Sequence, residues 1–211
     1  MSVVVVYVHG LWLTGLEGGF LRKRLGVELT AETHAFRYPS VTADISANAR
    51  ALAKFLGSLR TDTLHLVGHS LGGLVIRKMF EMGEGAHLPP GRLVCMGSPL
   101  NGSRAALNLV RAPFGKLLVG RGVQEELLNL RVRPWDGQRD LGVIAGNLGV
   151  GLGRLVGISG APSDGTIFVE ETRLAGITQH LVVPVSHIGL PYSKLVAMQA
   201  AAFLRTGKFV T

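Results

Sequence analysis

A serine between two glycines forms the sequence's strongest chemical pattern, Gly68-His69-Ser70-Leu71-Gly72. A mostly apolar run, Leu64 to Val67, precedes it, and a helical pattern begins at Leu71. A serine in such a strand-to-helix turn has a strained backbone that exposes its hydroxyl, and the tight turn requires small flanking residues. The N-terminus of the helix then presents free N–H groups and a positive partial charge to the hydroxyl. The pattern predicts nucleophilic catalysis by Ser70.

A serine hydroxyl needs an imidazole to accept its proton and a third group to orient that imidazole. Among the seven histidines, His187 follows the last predicted strand and precedes the last predicted helix. A loop in that place can carry a base over the edge of a sheet, so we predict His187 as the general acid and base. The other histidines have less favourable surroundings; they are His9, His34, His65, His69, His87 and His180.

Asp164, in Ser163-Asp164-Gly165-Thr166, is the predicted orienting acid. Its place between the last two predicted strands gives the chain order serine, acid, histidine. The dipeptide Asp164-Gly165 is also typical of a turn, a reading that is compatible with catalysis. Four other acids in the same third of the chain remain alternatives: Asp136, Asp140, Glu170 and Glu171.

Acyl transfer also needs two N–H donors for the oxyanion of the tetrahedral intermediate. Leu71 follows the nucleophile at the helix start and is one predicted donor. Leu11, after His9-Gly10 at the end of the first strand, is the other, because glycine there allows close backbone approach. Trp12 is an alternative donor. Trp12 and His69 are the predicted substrate-binding residues, with the His69 ring turned away from the attacking oxygen.

Strands and helices alternate along the chain in the order needed to bring these loops together. Continuous apolar runs are typical of strands covered on both faces, and apolar residues every three or four positions are typical of helices. The alternation favours a doubly wound, mostly parallel α/β fold with right-handed crossovers. The predicted strands are Val3 to Val8, His34 to Tyr38, Leu64 to Val67, Leu93 to Met96 and Thr178 to Val183; the predicted helices are Ser40 to Arg60, Leu71 to Glu81 and Lys194 to Leu204.

The length and composition fit one domain over residues 1–211. The chain is 47% apolar and 17% charged, and its one cysteine, Cys95, lies in an apolar run. Residues 102–138 fit the sheet less well and predict an insertion or flap. For the penultimate strand we favour Leu141 to Ala145 over Leu155 to Ser159, both short and apolar. The glycine-rich stretch 146–153 lacks the order of a nucleotide-binding loop and is interpreted as a mobile apolar loop near the acid.

The charge balance favours anionic partners without predicting nucleic-acid binding. Twenty-two lysines and arginines against 14 acids give a net charge of +8. The basic residues are scattered, and no zinc-finger, recognition-helix or RNA-binding motif accompanies them. The N-terminus has no basic region or cleavage site of a signal peptide, so we expect a cytoplasmic location. We expect no metal or organic cofactor.

The sequence resembles the α/β-hydrolase superfamily, specifically its small bacterial esterases and lipases with little or no lid. Four segments carry the resemblance: Val8-His9-Gly10, residues 68–73, residues 97–103 and residues 187–193. The third is similar to the Gly-Thr-Pro-His-x-Gly-Ser element of lipases, from which Ser98 and Leu100 depart. Residues 164–172 look like the acid loop of a related branch that includes lipid-remodelling deacylases.

The resemblance implies acyl transfer from an ester to Ser70 and then to water. We therefore expect a serine carboxylic-ester hydrolase acting on a small-molecule or lipid ester, with transient contact to a membrane surface. An acyltransferase or thioesterase using the same residues on a lipid or carrier-bound acyl group is the alternative. A non-catalytic binding protein of the same fold is a third hypothesis, which the complete set of candidate residues disfavours.

Overall fold

The computed structural model describes residues 1–103, 133–149 and 161–210. These residues form a six-stranded sheet in the order β2-β1-β3-β4-β5-β6, with every neighbouring pair parallel. The strands are β1 (Val3–Val8), β2 (Glu32–Phe36), β3 (Thr63–His69), β4 (Leu93–Met96), β5 (Leu141–Gly146) and β6 (Gln179–Val183). The prediction of a mostly parallel α/β sheet is confirmed.

Four α-helices of the described residues cover the two faces of the sheet. They are α1 (Gly19–Leu29), α2 (Ile45–Gly57), α3 (Leu71–Glu81) and α4 (Lys194–Thr206). Alternate residues of β1 point to opposite faces, as a strand requires. Val4, Val6 and Val8 join the apolar cluster of α2 and α3, whereas Val5 and Tyr7 join that of α1 and α4. None of these helices is long and apolar enough to cross a membrane.

The observed elements refine several sequence predictions. Helix α2 is shorter than its predicted range because Asp44 caps it, its side chain accepting a hydrogen bond from the Ala47 N–H. Strand β2 begins two residues earlier than predicted, and β5 corresponds to the favoured first alternative. The second alternative and most of the predicted flap lie outside the described residues, as does the glycine-rich stretch after Gly149.

Helix α1 was not predicted from the sequence. Only Leu21 and Leu25 of this helix are buried, and the basic residues Arg22, Lys23 and Arg24 stand between them. The apolar period is therefore too sparse to indicate a helix. The helix ends at Leu29, and the next residue, Thr30, has the left-handed conformation with φ 50°.

The parallel order brings the loops after β1, β3, β4 and β5 to one edge of the sheet. Val8 pairs with Gly68, His69 with Met96, and Met96 with Ile144. Open α/β sheets bind ligands outside this carboxyl edge. All the residues singled out by the sequence motifs follow strands that end there.

Candidate active site

Ser70 occupies the sharp turn between β3 and α3. Its backbone has φ 53° and ψ −120°, an unusual conformation for a residue other than glycine. A Cβ at position 68 would lie 2.6 Å from Gly73 N, and one at position 72 would lie 2.7 Å from the carbonyl oxygen of His9. Both glycines of the motif are therefore required by close backbone approach, and the turn holds Ser70 at the start of the helix.

His187 and Asp164 form a close pair beside this turn. His187 Nδ1 lies 2.7 Å from Asp164 Oδ2, and the main-chain N–H of His187 donates to the carbonyl oxygen of Asp164 over 2.8 Å. The Asp164 side chain is 1% exposed and that of His187 is 11% exposed. Because a carboxylate accepts, Nδ1 carries the proton and Nε2 is left as the basic nitrogen.

The backbone around Asp164 determines which carboxylate oxygen meets the imidazole. Oδ1 accepts hydrogen bonds from the N–H groups of Thr166, over 2.9 Å, and Ile167, over 2.7 Å. Asp164 N in turn donates to the Ile167 carbonyl over 3.1 Å. The turn predicted for Asp164-Gly165 is thus present, with Gly165 at φ 93°. It fixes one oxygen and leaves the other for His187.

Gly97, at the end of β4, makes room for the pair. A Cβ at this position would lie 3.1 Å from both Asp164 Oδ2 and His187 Nδ1. Gly97 also has φ 55°, which favours glycine. The ring of His69, the residue before Ser70, lies with its centroid 4.9 Å from that of His187. The structure therefore brings the His187 loop against the turn that carries Ser70.

The loop after β1, which carries the predicted oxyanion donor Leu11, lies beside Ser70. A Cβ on Gly10 would lie 3.2 Å from Ser70 Cβ, so this loop passes directly beside the serine. Leu71 is the first residue of α3, and the N–H groups at the start of a helix have no acceptor within the helix. The N–H of Trp12, the alternative donor, is instead directed to Ser40 Oγ over 3.2 Å. This geometry favours Leu11 over Trp12.

His9 fixes the peptide that contains the Leu11 N–H, a role that the sequence analysis missed. Its buried ring stacks on Tyr38 at 4.2 Å, and His9 Nδ1 lies 2.8 Å from the Gly10 carbonyl oxygen. Tyr38 N donates to Nε2 over 3.3 Å, so the proton belongs on Nδ1. Burial lowers the pKa of His9 and keeps the ring neutral. Because C=O and N–H of a trans peptide point in opposite directions, this bond directs the Leu11 N–H away from His9.

The two predicted substrate-binding residues differ in exposure. Trp12 is 55% exposed and has φ 61°, so its side chain stands at the surface of the loop beside Ser70. His69 is 2% exposed, and its Nε2 lies 3.2 Å from the carbonyl oxygen of His187. The structure therefore places His69 between the turn and the His187 loop, closed off from the surface.

The alternative acids are engaged elsewhere. Asp140 pairs with Arg92 over 3.0 Å at the opposite edge of the sheet, and Glu170 pairs with Arg173 over 3.0 Å. Glu171 accepts from Phe168 N over 2.9 Å, and Asp136 accepts from Gln138 N over 3.2 Å. Asp164 is thus the acid that the described structure joins to His187.

Solved structures of hydrolases share this fold. A Bacillus licheniformis lipase in mature form matches with a TM-score of 0.72 and 18% identity, over 97% of this chain and 91% of the lipase. Its propeptide form matches over 100% of this chain, which spans 51% of that longer chain, with a TM-score of 0.76 and 17% identity. A metagenomic carboxyl esterase gives a TM-score of 0.68 and 16% identity over 99% of this chain and 71% of the esterase.

A type II thioesterase from the borrelidin biosynthetic cluster also matches. Its TM-score is 0.66 at 17% identity, over 98% of this chain and 92% of the thioesterase. At these identities the likeness shows the shared fold. No curated protein sequence matches the chain significantly. The model of the Alpha/beta hydrolase family matches residues 5–189, from within β1 to the loop that carries His187. The chain therefore belongs to the alpha/beta hydrolase family.

Proposed function

We propose that the protein hydrolyses carboxylic esters, with Ser70 as nucleophile, His187 as general acid and base, and Asp164 as the orienting acid. The observation that carries this proposal is the 2.7 Å contact between His187 Nδ1 and Asp164 Oδ2, together with the strained turn that holds Ser70. The proposal is supported because an imidazole that an acid holds in place can accept the proton of a nearby serine hydroxyl.

In the first half of the reaction, Ser70 Oγ attacks the ester carbonyl carbon while its proton passes to His187 Nε2. The negative charge on the carbonyl oxygen is accepted by the N–H groups of Leu11 and Leu71. Collapse of the intermediate breaks the ester C–O bond, and His187 returns the proton to the departing alkoxide as the alcohol leaves. The acyl group is then bound to Ser70 as an ester.

Water completes the second half of the cycle. His187 Nε2 takes a proton from the water as its oxygen attacks the acyl carbon, and the same N–H donors stabilise the second oxyanion. The proton then returns to Ser70 Oγ and the carboxylic acid is released. Asp164 keeps its negative charge throughout, since its role is to hold the imidazole and stabilise the imidazolium.

The substrate class is proposed as a small-molecule or lipid ester. Support comes from the lipase and esterase among the structures of similar fold and from the exposed side chain of Trp12, on the loop whose Gly10 lies beside Ser70. The fold likeness to a thioesterase supports a second candidate, hydrolysis or transfer of a carrier-bound acyl group with the same residues. Both reactions pass through acyl-Ser70, and they differ in the group that leaves or accepts.

Hydrolysis of a short-chain nitrophenyl ester by the wild type and by Ser70→Ala tests the proposal. We expect the variant to lose at least about a thousandfold in kcat, since the nucleophile is gone. Ser58→Ala is the matched control, because Ser58 is an exposed serine whose hydroxyl donates to the Phe55 carbonyl at the end of α2. An unchanged rate in Ser70→Ala would refute the proposal. Added alcohol and an acyl thioester then distinguish hydrolase, acyltransferase and thioesterase.

A further inference from the structure

His69 links two parts of the site that lie far apart in the sequence. It is the last residue of β3 and is covalently joined to Ser70, yet its side chain contacts a residue 118 positions later. The acceptor of that contact is the carbonyl oxygen of His187, 3.2 Å from His69 Nε2. The rings of the two histidines are tilted by 40° with centroids 4.9 Å apart.

The protonation of His69 follows from its partner and its burial. A carbonyl oxygen only accepts, so Nε2 must carry the proton. The desolvation of the buried ring, followed by the nearby His187, lowers the pKa of His69 to about 3. The ring is therefore neutral at working pH and Nδ1 carries a lone pair. Nδ1 has no hydrogen-bond partner among the described residues and faces the position a Cβ would take on Gly10, 3.4 Å away.

With this contact, His187 is held at three points. Its N–H donates to the Asp164 carbonyl over 2.8 Å, its carbonyl accepts from His69, and its ring Nδ1 lies 2.7 Å from Asp164 Oδ2. The first and third contacts come from the acid loop. Among the contacts of the described residues, the second joins the base to the strand that carries the nucleophile. The distance between Ser70 and the basic nitrogen of His187 therefore depends on His69.

Resting on the proposed function, we infer that His69 is a positioning residue whose Nε2–H fixes the main chain of His187 relative to Ser70. This hydrogen bond aligns the base with the nucleophile, and His69 does not contact the substrate. Alignment of reacting groups is worth a large factor in rate, since a displacement of about 1 Å can cost about a hundredfold. Loss of this hydrogen bond should thus lower kcat and leave the binding of substrate unchanged.

Two amide substitutions of equal polarity and different reach test this inference. In His69→Gln the side-chain amide extends to the place of Nε2, whereas in His69→Asn it reaches only the place of Nδ1. We expect His69→Gln to keep kcat for a nitrophenyl ester within about fivefold of wild type. We expect His69→Asn to lose about 20- to 100-fold in kcat with KM within about threefold.

The control is His65→Asn, in the same strand and also buried, with its Nδ1 accepting from Arg92 N over 2.9 Å. His65 lies toward the amino end of the strand, away from Ser70. We expect this variant to leave kcat unchanged, since the asparagine oxygen takes the place of Nδ1 as acceptor for Arg92 N. Equal losses of kcat in His65→Asn and His69→Asn, or equal kcat in the two His69 variants, would overturn the positioning role.

A measurement on the wild type keeps the test independent of how the variants fold. Nitrogen-15 NMR of the histidine rings should show His69 protonated at Nε2 and bare at Nδ1 between pH 5 and 8. The opposite tautomer would remove the donor and overturn the inference. If the wild type neither hydrolyses esters nor reacts at Ser70, the proposed function fails instead, because the inference concerns differences between active proteins.

Discussion

The carboxylate of Asp164 meets the ring of His187 through one of its two oxygens, Oδ2. Oδ2 lies 2.7 Å from His187 Nδ1, while Oδ1 is occupied by the N–H groups of Thr166 and Ile167. The two oxygens are therefore not interchangeable. This asymmetry makes the effect of an isosteric substitution at Asp164 predictable in detail.

Asp164→Asn should abolish most activity with the fold intact. The two N–H groups require an acceptor, so the asparagine oxygen occupies the place of Oδ1 and the NH2 group faces His187. His187 Nδ1 must then accept and Nε2 carries the proton, which is the wrong tautomer for a base. We expect kcat to fall by about ten thousandfold near neutral pH, as for such a tautomer change in other serine hydrolases.

Ester hydrolysis together with thermal unfolding measures this effect. Asp140→Asn is the control, because it removes an acid whose described ion pair is with Arg92, 3.0 Å away. Activity of Asp164→Asn within tenfold of wild type would contradict the assignment of the acid.

Gly72→Ala should destabilise the protein through a backbone clash. Its Cβ would meet the carbonyl oxygens of Val8 and His9, neither of which can rotate away as a side chain could. We expect a loss of about 1–3 kcal/mol in the free energy of unfolding, measured by urea denaturation. Gly19→Ala, with nothing within 4 Å of the added Cβ, should be neutral or slightly stabilising. Equal stabilities of the two variants would contradict the packing described for the turn.

Acid should destabilise the fold below about pH 6.5 through two buried histidines, His65 and His69, and the half-buried His180. Burial lowers the pKa of His65 to about 4, of His69 to about 3 and of His180 to about 4. The unfolded chain, with histidine pKa values of about 6.5, binds more protons between pH 6.5 and 4. Stability is therefore full above the unfolded pKa and decreases as the pH falls through this window.

Urea unfolding at pH 7.5, 5.5 and 4.5 measures the slope. His65 and His69 each contribute at most about 1.4 kcal/mol per pH unit in this range, and the half-buried His180 contributes less because solvent screens its charge. His65→Leu removes one titrating group and should make the dependence shallower. A free energy of unfolding that is constant from pH 7.5 to 4.5 would show that these rings are not buried as neutral species.

Trp12→Ala should weaken the binding of esters with long acyl chains. The exposed indole stands on the loop beside Ser70. Loss of its apolar contact with the acyl chain should raise KM by about three- to tenfold, with kcat little changed. Leu16→Ala removes another exposed apolar side chain of the same loop and serves as control. If KM for a series of chain lengths is the same in wild type and Trp12→Ala, Trp12 is not a substrate-binding residue.

The central strands were predictable because they are buried on both faces. Val3–Val8 is continuously apolar, and so is Leu93–Met96, which leaves little alternative to a covered parallel strand. Strand β2 lies at the edge with Glu32 exposed, so its pattern is mixed and its start was misplaced. Helix α1 was missed because its buried residues are few.

In the candidate site, too, the features that leave a local sequence pattern were predictable and the others were not. The turn around Ser70 was predictable because close backbone contacts require glycine on both sides of the serine. This requirement gives a short and strict sequence pattern. His187 and Asp164 followed from chain order. The contacts of His9 with Gly10 and of His69 with His187 leave no pattern, because they depend on how separate loops meet in space. Such supporting side chains become visible only in the fold.

The most direct test of the account is the covalent reaction of the folded protein with a fluorophosphonate, with the modified residue located by mass spectrometry. We expect one adduct, on Ser70, which is absent in Ser70→Ala and forms at least about a hundredfold more slowly in His187→Gln, because the base is lost. An adduct on another residue, or none in a protein shown to be folded, would contradict the claim that Ser70 is a nucleophile activated by His187.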